Sequence, residues 1–203
     1  MEKKILINVG RQFGAGGKGV AAVLGERLGI PVYDSELLQK AAEESGFSPA
    51  LFKKSDEKRR LWRFGGLFGL NRASSYAPSA IDGTELFKFQ SQAIRDIAEK
   101  GSAIFLGRAS DYVLRDKDCL DVFICAPLED RVKRVCERTG MTAEEAEKYI
   151  LKKEKTRSDY YNFFTFGNWG VASNYDLCLD SSLVGIEGAA DIIIDFGRRA
   201  GLL

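Results

Sequence analysis

The chain has 203 residues, enough to bury one substantial interior and short for two independent domains. Thirty Lys and Arg offset 29 Asp and Glu, a net charge of +1 that argues against bulk attraction to nucleic acid or an anionic membrane and makes any anion site a local one. There is no histidine, and Cys119, Cys125, Cys136 and Cys178 show no CxxC spacing, which excludes Ser-His and Cys-His catalysis and the usual zinc ligand sets.

Met1 to Lys4 leads straight into a short apolar segment, and no apolar run of about 18 residues follows anywhere. A soluble, cytoplasmic protein with cysteines buried as small apolar residues is the expectation. In chain order, Ile5 to Val9 predicts a strand, broken by a glycine-rich turn that carries Lys18. Val20, Val23, Leu24 and Leu28 then form one apolar helical face, stopped by Gly29 and Pro31. Pro31 to Tyr33 reads as a second short strand, with Asp34 and Ser35 at its carboxyl end and a helix through Leu37, Leu38, Ala41 and Ala42. Residues 46–83 mix a charged run with Trp62, Phe64 and Phe68 and a Ser-, Gly- and Pro-containing loop, as an inserted subdomain would. The aromatics there suit an acceptor pocket or a partner surface equally well.

Ala103 to Leu106, Leu120 to Cys125 and Leu177 to Leu179 predict three further strands, each followed by a helix. Pro127 is expected to open one helix at its first position, and Ile186, Ala190, Ile193 and Ile194 mark the last. From Glu129 to Arg157 a highly charged helical pair is expected, with Thr142 and Glu145 as a capping box. Five strands alternating with helices predict an α/β fold, a five-stranded parallel sheet flanked by helices, with ligands gathering at the carboxyl ends of the strands.

The glycine turn is the part with chemistry in it. Glycines let the backbone bring N–H groups toward an anion, and a helix start and a lysine add positive charge. Gly14, Ala15, Gly16, Gly17, Lys18 and Gly19 are therefore candidate phosphate-binding residues. The Walker A spacing fits imperfectly. With Lys18 as the phosphate lysine, Gln12 stands at the first-glycine position; with Gly14-Ala15-Gly16 as the anchor, Gly17 stands where lysine belongs. No hydroxyl follows Lys18, since Gly19 and Val20 come next, and no protein ligand for magnesium is assigned.

Arg11-Gln12-Phe13-Gly14-Ala15-Gly16-Gly17-Lys18, with Leu28-Gly29-Ile30-Pro31-Val32-Tyr33-Asp34, resembles the opening of the cytidylate kinase-like family of P-loop nucleoside-monophosphate kinases. Leu106-Gly107-Arg108-Ala109-Ser110-Asp111 is similar to that family's third-strand motif, and Lys155 to Tyr161 with Tyr175-Asp176-Leu177 to its C-terminal pattern. The resemblance spans nearly the whole chain. It implies a P-loop kinase architecture in one domain, residues 1–203, with a helical acceptor-binding insertion near 36–95 and a lid near 129–157. It also implies ATP and Mg2+ as cofactors and a small-molecule phosphoryl acceptor, CMP or dCMP.

Particular residues acquire expected roles on that basis. Asp34 would accept hydrogen bonds from the acceptor or organise a hydrated magnesium ion, or else cap the helix that follows. Arg108 would grip the acceptor phosphate with its planar fork. Arg131 and Arg134, three apart on one helical face, and Arg157, expected beyond the second charged helix, would surround nucleotide phosphates as a lid closes; otherwise they are solvated helix charges. Lys18, Asp34, Arg131 and Arg157 are thus the catalytic candidates. The aromatics Tyr160, Tyr161, Phe163, Phe164, Phe166 and Trp169 either stack on a base or pack a loop onto the core. Against the kinase stand two alternatives: a catalytically silent nucleotide-binding regulator, suggested by the displaced lysine, and a kinase for a non-nucleotide acceptor, because Asp34-Ser35-Glu36 lacks the threonine-glycine continuation of cytidylate kinases proper.

Overall fold

The computed structural model describes residues 4–44 and 80–203. The elements, in order, are β1 (Leu6–Arg11), α1 (Gly17–Leu28), β2 (Val32–Tyr33), α2 (Ser35–Glu44), α3 (Ala80–Lys100), β3 (Ala103–Phe105), α4 (Ser110–Val113), β4 (Leu120–Cys125), α5 (Leu128–Thr139), α6 (Ala143–Thr165), β5 (Leu177–Asp180) and α7 (Ser181–Arg199). The expected Trp62, Phe64 and Phe68 cluster lies outside the described residues.

All five strands are parallel, in the order β2-β3-β1-β4-β5. The strand order reverses at β1, so the chain leaves the carboxyl end of β1 into a crevice between diverging crossovers, where open α/β sheets bind ligands. Alternation along β1 explains the two layers. Ile7 and Val9 join Val20 and Leu24 of α1 and Ile193 of α7 in one core, while Leu6 joins Phe105, Leu38 of α2, Ile94 of α3 and Leu114 in the other. With helices on both sides, the first four residues of β1 are all buried.

The α/β architecture and five parallel strands are as expected from the apolar runs, and four boundaries differ. Strand β1 continues two residues past Val9, paired with β4 as far as Arg11↔Ile124, so Arg11 belongs to the sheet. Helix α1 starts at Gly17, inside the glycine run, and Pro127 is the residue before α5 rather than its first. Helix α6 begins at the expected Thr142–Glu145 capping box, but runs unbroken for 23 residues through Arg157, a residue expected beyond the helix. Its charged face masks its continuity: Tyr149, Lys153, Arg157, Tyr160 and Phe164 recur at helical spacing across the expected end. Helices α5 and α6 share a small core of Val135, Ala146 and Ile150, into which Phe13 reaches from the glycine turn.

No helix among the described residues is long and apolar enough to cross a membrane.

Candidate active site

The turn after Arg11 delivers the chain to α1 by way of Gly14 and Gly16, whose φ angles of 83° and 79° are left-handed values that a side chain would strain. Gly16 precedes α1 with no side-chain cap, and no acidic residue lies in the first turn. The helix start therefore offers N–H groups that no group of its own satisfies, at the positive end of its dipole, a combination that fits a phosphate. Small residues are required for packing as well. A Cβ on Gly16 would collide with Ile186 of α7, and one on Gly19 would lie 3.3 Å from the same side chain. Ala15 is fully buried.

The turn is gripped from beneath. Ser181 Oγ donates to the Ala15 carbonyl at 2.7 Å, and Gln12 Oε1 accepts from the Ala126 N–H at 3.1 Å. Arg131 donates from Nε to the Ala126 carbonyl (2.9 Å) and from Nη1 to Glu154 Oε1 (2.7 Å) and the Phe13 carbonyl (3.4 Å). The same Glu154 oxygen accepts the Phe13 N–H at 3.3 Å. Arg134 donates to the Gly14 carbonyl (3.5 Å), to Ser181 Oγ (3.1 Å) and carbonyl (3.4 Å), and to Ser182 Oγ (3.3 Å). The two arginines do share a face of α5, and that face looks at the underside of the turn.

Lys18 and Asp34 meet across the crevice, Nζ to Oδ2 at 3.4 Å, with the lysine side chain 82% exposed and the aspartate 23%. Both readings of Asp34 are realised at once. Its Oδ1 accepts the Glu36 and Leu37 N–H groups (3.0 and 3.2 Å) at the start of α2, and its Oδ2 faces Lys18. Partial burial raises the Asp34 pKa, but the two backbone N–H donors and Lys18 outweigh it and hold the carboxyl below its usual range.

Two cavities flank this line of residues. The larger, about 670 Å³, lies over the turn and is lined among others by Gly14, Gly16, Lys18, Asp34, Arg134 and Arg138. The smaller, about 270 Å³, is lined among others by Arg108, Asp111, Tyr160, Tyr161, Trp169 and Tyr175. Arg11, Ser35, Lys153 and Arg157 line both. Arg131 lines neither.

Within the smaller cavity, Gly107, Arg108 and Ala109 all adopt left-handed conformations (φ 76°, 65° and 53°), an unusual run for two residues with side chains. The run sets the Arg108 guanidinium 5.4 Å from the Tyr160 ring centroid. Arg157 donates to the Arg11 carbonyl at 3.0 Å. Burial, then the charges of Arg157 and Arg108, push the Arg11 pKa down to about 9, against a smaller opposing pull from Asp34. Arg157 is lowered by burial too, with Glu154 opposing and Arg108 adding to the effect. Three guanidiniums and Lys153 thus face one crevice, with Asp34, Glu36 and Asp111 among its other lining residues. Tyr161 donates to Asp111 Oδ2 at 2.7 Å, and burial keeps the Asp111 carboxyl above its ordinary range despite that bond. Of the remaining aromatics, Phe164 stacks on Phe87 of α3 at 4.1 Å and Trp169 meets Phe123 edge-on, whereas Phe166 is exposed.

The expected residues Lys18, Asp34, Arg108 and Arg157 therefore converge, the glycines form the turn between them, Arg131 lies under it, and Arg134 both bonds to the turn and lines the larger cavity. Four participants were not singled out from sequence: Arg11, Ser35, Lys153 and Glu154. Lys153 had a readable signal, its position one turn before Arg157, which the misplaced helix end concealed. No group of three or more potential metal-ligating side chains occurs among the described residues.

The sequence model of the cytidylate kinase-like family matches residues 6–183. Among curated relatives, the cytidylate kinase of Methanopyrus kandleri is 27% identical over 188 residues, covering 88% of this chain and 85% of its own. The cytidylate kinase of Pyrococcus horikoshii is 26% identical over 192 residues, covering 94% and 86%. Among solved structures, an uncharacterized protein from Eubacterium ventriosum superimposes with a TM-score of 0.73 at 28% identity, over 95% of this chain and 98% of that one. The shikimate kinase of Acinetobacter baumannii, solved with shikimate, gives a TM-score of 0.54 at 13% identity, over 100% and 97%, a likeness of fold alone.

Proposed function

Because the chain belongs to the cytidylate kinase-like family, we propose that it transfers the γ-phosphoryl group of ATP to the phosphate of a nucleoside monophosphate, with CMP or dCMP as the acceptor. The observation that carries this reading is the junction of the two cavities, where Arg11, Arg157 and Lys153 line both and Arg108 lines the smaller. Such a concentration of cationic groups suits a reaction in which two polyanions must meet.

In the proposed reaction the bond from the γ-phosphorus to the β,γ-bridging oxygen breaks, ADP leaves with the electron pair, and an acceptor phosphate oxygen forms the new bond. No proton has to move, so the absence of histidine is no obstacle. The uncapped start of α1 would hold the donor phosphates, Arg108 the acceptor phosphate, and Arg157 the space between. Arg131 and Arg134 act here as positioning residues that shape the turn, since their donors are engaged with its carbonyls, Glu154 and the serines of α7. Lys18 and Asp34 close the opposite wall. The donor set would fit Mg2+ only through nucleotide phosphates, water and the carboxylates lining the larger cavity, Asp34 and Glu36; when bound, the ion would supply charge neutralisation of those phosphates. Helices α5 and α6 are the proposed lid, α2 and α3 with the segment between them the proposed acceptor-binding insertion, and the whole chain one domain. The Tyr161–Asp111 pair and Trp169 are the groups placed to meet a base.

Steady-state phosphorylation across nucleoside monophosphates and shikimate-like hydroxy acids tests this. CMP or dCMP turned over fastest is the expected result. ATP binding by calorimetry with no acceptor phosphorylated would instead establish a nucleotide-binding regulator, and turnover of a non-nucleotide alone would move the acceptor class.

A further inference from the structure

Resting on that reading, we propose that Arg11, a residue of the sheet rather than of the turn, supplies the cationic contact to the transferred phosphoryl group that a lysine at position 17 would otherwise make. The structure places α1 so that Gly17 is its first residue, directly after the left-handed Gly16. In the spacing anchored on Gly14-Ala15-Gly16, that is the lysine position. A Cβ built on Gly17 would lie 2.6 Å from Arg11 Cβ and 2.9 Å from its Cγ, so the Arg11 stem fills the volume from which a residue-17 side chain would start.

The head of Arg11 ends where such a lysine would be needed. Any side chain at Gly107 would collide with Arg11 Nη1. Glycine at both 17 and 107 is thus what lets the arginine pass from the strand between the turn and the third-strand motif. The guanidinium reaches the wall common to the donor and acceptor cavities. Among the described residues no carboxylate or carbonyl accepts a hydrogen bond from it, and its nearest charges are chiefly the like charges of Arg157 and Arg108. A partly buried cation with no partner of its own is costly, and an anion arriving between two cavities removes that cost. The planar fork also holds two phosphate oxygens in one fixed bidentate geometry, where a lysine acts as a point charge. Lys18, one residue on, is rotated about 100° around α1 and meets Asp34 instead.

The test separates this assignment from the kinase reading. ATP affinity by calorimetry and single-turnover transfer to CMP are measured for the wild-type chain, Arg11→Ala, Arg11→Gly, Lys18→Ala and the double variant Arg11→Gly/Gly17→Lys, in which the residue-11 Cβ that would meet a residue-17 side chain is also removed, each first checked for an unchanged circular dichroism spectrum and melting transition. Arg11→Ala is expected to weaken ATP binding and to slow transfer by about 100-fold, and more than Lys18→Ala does. The Gly17→Lys side chain, entering the volume that Arg11 vacates, is expected to recover at least about a tenth of wild-type transfer, a rescue that a merely structural arginine would not permit. If the wild type phosphorylates CMP while Arg11→Ala stays within about threefold of it, or if Lys18→Ala is the more damaging variant, the assignment to Arg11 is overturned and the kinase reading stands. If the wild type phosphorylates no nucleotide, the kinase reading fails, and the calorimetric arm still decides the assignment: ATP binding lost in Arg11→Ala and regained with Gly17→Lys supports it, and unchanged binding overturns it. Should Arg11→Ala not fold, Arg11→Met retains the stem and the same comparison is made with it.

Discussion

Replacing Glu154 by glutamine removes one charge from the Arg131–Glu154 pair beneath the glycine turn. The pair is short, 2.7 Å, with side-chain exposures of 7% and 15%, so water screens it little. Losing one partner of such a buried pair leaves the other charge uncompensated, a loss of about 3–5 kcal/mol; glutamine, which still offers a carbonyl to Arg131 and the Phe13 N–H, places the expected value near 3 kcal/mol. For a chain of this size each kcal/mol lowers the melting temperature by about 2–4 °C, so a drop of roughly 6–12 °C is expected. Urea titrations of wild type, Glu154→Gln, Arg131→Met and the double variant form the assay, with thermal melts alongside. The double variant should recover most of the loss, because neither charge remains buried. ATP affinity should fall in both single variants, since Arg131→Met removes the donor to the Phe13 carbonyl and Glu154→Gln weakens the pair that holds that arginine and the Phe13 N–H in place. A melting temperature within about 2 °C of wild type in Glu154→Gln, with normal ATP affinity, would refute the view of Arg131 as a residue that shapes the turn, and slower transfer in a fully stable Arg131→Ala would return it to direct contact with nucleotide.

Burial pushes the Asp121 carboxyl up to about 6, with the Asn8 amide donor (2.7 Å) opposing and the charges of Asp111 and Asp176 reinforcing it. The folded value lies above the ordinary 3.8, so the stability that protonation contributes is fully present below pH 3.8 and is lost as pH rises through about 6. Urea midpoints between about pH 4.5 and 7.5 should show that decline, worth up to about 3 kcal/mol, and Asp121→Asn should flatten it; an identical slope in the variant would exclude Asp121 as its source. At the far end of α6, Thr142→Ala removes the side chain that accepts the Glu145 N–H at 3.3 Å and should destabilise by about 1 kcal/mol, measured by denaturant titration. No change there would mean that the capped end is frayed in solution.

The strands were legible because each is an apolar run flanked by turn residues, and the parallel order followed from their alternation with helices. Helix ends were not, where charge or glycine dominates the sequence: Gly17 lies in a run that resembles a loop but begins α1, and Arg157 lies in a charged stretch that continues α6 to Thr165. The site divides in the same way. Asp34 and the glycines stand at strand ends and could be read from position, whereas Arg108 was singled out only through the family resemblance. The placement of Arg11 depends on the absence of side chains at Gly17 and Gly107, the second of them 96 residues away along the chain, which no local pattern records. Arg131 and Arg134 were read from a helical face whose spacing is compatible with phosphates or with carbonyls. Only their contacts with Phe13, Gly14, Glu154 and Ser181 distinguish these.

Helix α6 carries Glu154, Lys153, Arg157, Tyr160 and Tyr161 within nine consecutive positions, touching the turn, both cavities and Asp111. As one unbroken helix it would carry all of these contacts together in any tilt about the capped Thr142. At about 1.5 Å per residue, Arg157 lies roughly 22 Å from that pivot, so a tilt of only about 5° sweeps it through about 2 Å. The grip on the turn and the α6 walls of both cavities would shift together in such a tilt.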